Sequence, residues 1–148
     1  MREVKGDIME LMKGEFDLFC VTTNGFVKKN GECVMGAGIA MDVRDRFPSI
    51  AKKLGGRTIK GGNHVYALGK YKDGLICSFP VKHVWWNDAD PELIKKSCVE
   101  LMELINRVPS IKKVLLPRPG CGLGNLKWKD VKLLIEPLLD DRVYVATF

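Results

Sequence analysis

Between Leu116 and Val131 the chain reads LPRPGCGLGNLKWKDV, with Gly120, Gly122 and Gly124 crowded into five residues. An apolar run precedes these glycines, and an amphipathic segment from Trp128 follows them. A second stretch, NGFVKKNGECVMGAG from Asn24 to Gly38, joins the apolar LFCVTT to another helical pattern. Glycine lets backbone N–H groups approach an anion closely and permits the positive φ that turns them inward. A helix start after each loop adds free N–H donors and a partial positive charge. Two such loops suit a diphosphate. Glycines also serve as plain tight turns, but the same strand–loop–helix placement occurring twice favours binding. Neither loop contains GxxxxGK[ST] or GxGxxG, which disfavours a P-loop NTPase or an ordinary dinucleotide-binding dehydrogenase.

Lys82 is the side chain best placed for covalent chemistry, because it directly follows the apolar LICSFPV. Most of the 24 lysines and arginines must be solvated surface charges. A lysine partly desolvated at a strand end, or set near other cations, has its charged form disfavoured, freeing the amine as a nucleophile. Cys121 has no histidine paired with it by a local motif and reads as a small filler whose backbone matters. Asn24 ends a buried strand, where an amide either satisfies turn backbone or addresses a sugar hydroxyl. Trp85 and Trp86 are adjacent, so an extended chain would send one to the core and the other toward a ligand beside Lys82. Exposed aromatics near lysines suit stacking on a nucleobase.

The elements that must position these residues are legible from periodicity. Strands are expected at Glu3–Lys5, Asp17–Thr23, His64–Leu68, Leu75–Pro80, Lys113–Leu116 and Arg142–Phe148. LFCVTT, LICSFP and VLLP are apolar throughout, as in strands covered on both faces. Helices are expected at Gly36–Phe47, ended or kinked by Pro48, at Asp90–Arg107 and at Trp128–Leu139. Asp90 can cap the second of these, with Pro91 in its first turn and Ile94, Cys98, Leu101 and Ile105 in one stripe. Alternating strands and helices predict a three-layer α/β/α domain with a central mixed or mostly parallel sheet. In such sheets ligands sit beyond the carboxyl ends of the strands, where both glycine loops fall.

Composition narrows the setting. At 148 residues the chain reads as one domain, residues 1–148, with 46% hydrophobic and 28% charged residues. Charged residues interrupt every apolar run, and the N-terminus lacks a signal-peptide core, so a cytoplasmic protein without membrane association is expected. Cys20, Cys33, Cys77, Cys98 and Cys121 are scattered and never spaced CxxC, and only His64 and His83 are present. No disulfide, metal or other cofactor is expected, and Cys20, Cys77 and Cys98 read as core residues. A net charge of +6 allows an anionic partner, without separating nucleic acid from a small phosphorylated ligand. Nothing argues against a monomer.

Taken together, the motifs resemble the macrodomains, a family of ADP-ribose-binding modules. Lys5-Gly6-Asp7-Ile8 looks like the family's entry motif. Thr22-Thr23-Asn24 with Val34-Met35-Gly36-Ala37-Gly38-Ile39-Ala40 looks like its first ligand loop, and Pro117-Arg118-Pro119-Gly120-Cys121-Gly122-Leu123-Gly124 like its second. Phe79-Pro80-Val81-Lys82 and the second loop are similar to the lysine-dependent branch. That branch includes the human terminal ADP-ribose glycohydrolase and the bacterial antitoxin that removes ADP-ribose from DNA.

The resemblance implies roles. Asp7 and Ile8 would address adenine, with Asp7 also able to cap a helix, and Phe148 would either stack on adenine or finish the core. Asn24 would contact the distal ribose. Met35, Gly36, Gly38, Ile39, Pro119, Gly120, Cys121, Gly122, Leu123, Gly124 and Asn125 would line the diphosphate and ribose. Lys82, assisted by Asn24, would be catalytic. Gly124 stands where the human-type enzyme has an aspartate, which tilts the expected substrate toward DNA-linked ADP-ribose over a glutamate ester. The alternatives are a non-catalytic ADP-ribose reader, a phosphatase or esterase acting on ADP-ribose derivatives, and a nucleic-acid-binding domain using the basic surface.

Overall fold

The computed structural model describes residues 1–71 and 74–147. Its strands are β1 (Arg2–Lys5), β2 (Leu18–Asn24), β3 (Ala67–Tyr71), β4 (Gly74–Lys82), β5 (Val114–Leu116) and β6 (Val143–Thr147). Its α-helices are α1 (Ile8–Leu11), α2 (Gly38–Arg46), α3 (Ile50–Gly61), α4 (Pro91–Arg107) and α5 (Trp128–Ile135), and a 3₁₀ turn, Glu136–Leu138, follows α5. The strands form one sheet in the order β1-β6-β5-β2-β4-β3. Every neighbouring pair is parallel except β3 with β4. This is the expected mixed sheet.

Two apolar layers sandwich it. Leu18, Cys20, Cys77, Phe79 and Val81 face Ile94, Cys98, Leu101 and Ile105 of α4 and Val131 and Ile135 of α5. Phe19, Val21 and Ile76 face Met12, Val43 of α2, and Ile50, Ala51 and Leu54 of α3. Strands covered on both sides cannot alternate apolar with polar residues, which explains the continuous runs in β2, β4 and β5. Asp90 caps α4 through a 2.9 Å bond from Glu92 N–H to its carboxylate, with Pro91 at the helix start.

Three expectations change. Pro48 ends α2 near Phe47, but a further helix, α3, starts at Ile50 where the sequence pattern suggests none. Its Gly55-Gly56 pair lowers helix propensity. Gly55 is nevertheless required, because a Cβ there would sit 1.9 Å from the Gly31 carbonyl oxygen. The expected strand at His64–Leu68 lies instead at Ala67–Tyr71, hydrogen-bonded antiparallel along β4 at the sheet edge. Trp85 and Trp86 occupy a turn, not extended chain, and both are exposed, at 52% and 58%. Neither enters the core. No helix among the described residues is long and apolar enough to cross a membrane.

Candidate active site

Five of the six strands run parallel, so the carboxyl ends of β1, β6, β5, β2 and β4 share one edge of the sheet. The chain leaving β2 packs α2 on one face, whereas the chain leaving β5 packs α5 on the other. Adjacent strands whose connections diverge to opposite faces open a crevice between them. The loop of residues 25–37 after β2 and the loop of residues 117–127 after β5 flank that crevice.

Asn24 and Lys82, far apart in sequence, are register partners on β2 and β4, just past a bulge at Thr23/Asn24. Asn24 Nδ2 donates to the Val34 carbonyl at 3.0 Å, and its Oδ1 accepts from Phe26 N–H at 2.9 Å. It therefore organises the first loop at both ends. Lys82 is half-buried, and its Nζ donates to the carbonyls of Leu123 (3.1 Å) and Trp85 (3.4 Å). The ammonium thus joins β4 to the second loop and to the turn after β4. Asn63 Nδ2 donates to the Lys82 carbonyl at 3.0 Å, and Gly25 N–H donates to the His83 carbonyl at 3.1 Å, fixing the backbone on either side. Asn63 carries no sequence signal; it lies in the turn after α3, a helix that the sequence pattern does not reveal.

The glycines divide by role. Gly36, Gly38 and Gly122 are exposed, and Gly36 and Gly122 have open space where a Cβ would be. Among the described residues, the N–H groups of Gly36, Ala37, Gly38, Gly122 and Leu123 donate to no protein acceptor, which leaves them for an anion. Gly120 and Gly124, expected in the same cradle, are buried and tightly packed. Gly120 has φ +76°, and a Cβ there would meet Ala89 and Leu126 at 2.9 Å. A Cβ on Gly124 would lie 2.5 Å from the Gly120 carbonyl oxygen and 2.8 Å from Ala89 Cβ. These two glycines let the loop fold against the chain before α4; they serve shape more than contact. The carbonyl of Gly124 accepts from Ala89 N–H at 3.0 Å.

Asn125 has φ +62°, and its Nδ2 donates to Asp88 at 2.7 Å. Asp88 is a residue the motifs do not flag, and it ties the chain before α4 to the second loop. Met35 is 2% exposed in the core, so its side chain packs and only its backbone borders the loop. Ile39 is half-buried, Pro119 is buried, and Leu123 is 63% exposed on the rim. Leu123 lies 3.7 Å from the Cβ position of Gly38, so the two loops approach each other across the crevice. Cys121 is half-buried; burial pushes its thiol up, and Sγ contacts the Pro119 carbonyl at 3.5 Å. A protonated thiol is a poor nucleophile.

At the far end, Asp7 caps α1: one carboxylate oxygen accepts from Met9 N–H (2.9 Å) and Glu10 N–H (3.2 Å). The second oxygen accepts no bond among the described residues, so capping and ligand recognition are compatible. Half-buried Ile8 follows it. Phe148 lies outside the described residues.

No protein-family model matches the chain. The ADP-ribose glycohydrolase OARD1 of Bos taurus is 28% identical over 148 residues, covering 97% of this chain and 89% of that protein. The DNA ADP-ribosyl glycohydrolase of Mycobacterium tuberculosis is 33% identical over 128 residues, covering 80% of this chain and 36% of that protein. The solved macrodomain of Thermus aquaticus DarG matches with a TM-score of 0.78 at 25% identity, covering 99% of this chain and 96% of that one. The chain has the macrodomain fold. In this macrodomain the flanking loops present their free amides from opposite sides of the crevice, with Lys82 at the end of β4 next to Asn24.

Proposed function

We propose that this macrodomain binds ADP-ribose across the carboxyl edge of its sheet and hydrolyses its bond to a macromolecule through Lys82. The observation that carries the reading is the position of Lys82, register partner of Asn24 and bonded to Leu123 between two amide-lined loops. From β1 to β4 the sheet edge crosses four strand spacings, roughly 19 Å at about 4.8 Å each. Adenine would sit at Asp7 and Ile8, the diphosphate between the loops, and the distal ribose over Asn24 and Lys82. The similar proteins named as an ADP-ribose glycohydrolase and a DNA ADP-ribosyl glycohydrolase support removal of ADP-ribose.

In the free protein Lys82 Nζ directs its hydrogens at two carbonyls. Bound substrate must draw the amine away from them and take up a proton before attack. Nζ then bonds to the anomeric carbon while the carbon's bond to the leaving group breaks, and the leaving group departs with the electron pair and a proton. Water adds to the same carbon of the lysyl adduct, releasing ADP-ribose and regenerating the amine. The packing around Gly124 leaves no room for an aspartate at that position. Together with the net charge of +6, this favours a DNA nucleobase linkage over a glutamate ester.

The test presents the protein with thymidine- and guanosine-ADP-ribosylated DNA and with glutamate-ADP-ribosylated protein. Release from DNA is expected in the wild type and not in Lys82→Ala. Undiminished release by the variant refutes lysine catalysis. No release from any substrate, with calorimetry still detecting ADP-ribose binding, leaves a reader module.

A further inference from the structure

The positive charge of this chain is unevenly placed. From Arg46 to Asn87 the sequence holds eight lysines and arginines against a single acid, Asp73. On α3, Lys52, Lys53, Arg57 and Lys60 are all exposed and share one side of the helix, at angles within about 140° of one another at 100° per residue. Lys28 and Lys29 extend this face toward the crevice. Their turn closes with Gly31 N–H donating to the Lys28 carbonyl at 2.9 Å, and Gly31 lies directly against Gly55 of α3. Among the described residues none of these six cations forms an ion pair, and α3 itself carries no acid, whereas on α4 and α5 Lys95 pairs with Glu92 and Lys132 pairs with Glu3. The acid of the turn, Glu32, is engaged by Asn30 Nδ2 at 2.8 Å.

A second feature continues the same surface. Phe26, two residues before Lys28, meets Trp86 edge to face at 5.4 Å, and Trp86 meets Trp85 at 5.3 Å. This ledge, exposed at Trp85 and Trp86 and backed by half-buried Phe26, stands at the mouth of the crevice, because Lys82 Nζ is bonded to the Trp85 carbonyl. Uncompensated cations suit a phosphodiester backbone, and exposed aromatic faces suit bases that are not stacked in a duplex.

We propose that the face running from Trp85, Trp86 and Phe26 through Lys28 and Lys29 onto α3 is a track for a single-stranded polynucleotide, whose modified nucleotide enters the crevice. The track rests on the glycohydrolase reading for its purpose, but its occupancy can be measured without turnover. Fluorescence anisotropy with an unmodified single-stranded oligonucleotide, as DNA and as RNA, reads the track alone. Lys52→Glu/Arg57→Glu is expected to weaken binding at least tenfold and to lower the slope of log K against log salt by about 1.4, at about 0.7 for each phosphate that is no longer neutralised. Trp86→Ala should weaken binding with little change in slope. Lys96→Glu/Lys129→Glu, on α4 and α5 across the sheet, should leave binding unchanged.

Equal weakening by the two charge reversals overturns the track, as does tighter binding of a duplex of the same length. Release assays separate the two ideas. If the track holds, Lys52→Glu/Arg57→Glu slows release from a modified oligonucleotide but not from a single modified nucleoside. Strand binding without release from either substrate refutes the glycohydrolase and keeps the track.

Discussion

Gly124 offers a sharp test of how the second loop is built. A Cβ there would stand 2.5 Å from the Gly120 carbonyl oxygen, 2.8 Å from Gly120 Cα and 2.8 Å from Ala89 Cβ. Relaxed contacts lie at about 3.5–4.0 Å, so the neighbouring backbone must give by about an ångström. Overpacking of this kind typically costs about 1–3 kcal/mol. Loss of the Ala89 N–H bond to the Gly124 carbonyl adds about 1 kcal/mol. Restricting the unfolded chain returns about 0.4–1 kcal/mol. Gly124→Ala should therefore destabilise by about 1–3.5 kcal/mol, lowering Tm by roughly 2–14 °C for a domain of this size. Gly122→Ala meets nothing within 4 Å and should stay within about 0.5 kcal/mol of wild type. Thermal unfolding of both variants decides the matter: equal Tm shifts would refute the packing role. The same geometry implies that Gly124→Asp disorders the loop before it can supply a carboxylate.

Asn24→Ala removes both bonds that anchor the first loop, each worth about 1 kcal/mol. It should lower stability by about 2 kcal/mol in urea titration and weaken ADP-ribose binding at least tenfold by calorimetry. Asp90→Ala deletes the cap of α4 and should cost about 1 kcal/mol at pH 7. The bond from His83, with the Glu92 amide, holds the Asp90 carboxyl below its ordinary 3.8, so its stabilisation exists above that value and fades as pH falls through the lower folded value. Urea midpoints of wild type and variant should accordingly converge in acid; a constant gap would contradict the linkage. Cys121→Ser should retain release activity, and brief alkylation near neutral pH should not inactivate the wild type, because burial keeps the thiol protonated.

Local sequence determined the parts of this protein whose causes are local. The continuous apolar runs of β2, β4 and β5 announce strands covered on both faces. The four-residue stripe from Ile94 to Ile105, capped by Asp90, announces α4. The glycine loops and the cap at Asp7 follow from residue type and spacing. Register and close packing are not local, and only the tertiary structure decided them. Asn24 and Lys82 meet because β2 and β4 pair in one particular alignment. Asn63 and Asp88 join the site through contacts with residues distant in the chain. The same spacing that marks Gly120, Gly122 and Gly124 as one cradle cannot separate them. Which glycines face open space and which are pressed against Ala89 and Leu126 depends on where a remote segment lies. Helix α3 shows the limit most plainly: its Gly55-Gly56 pair argues against a helix, and the close approach of Gly31 to Gly55 is the reason the first of that pair is there.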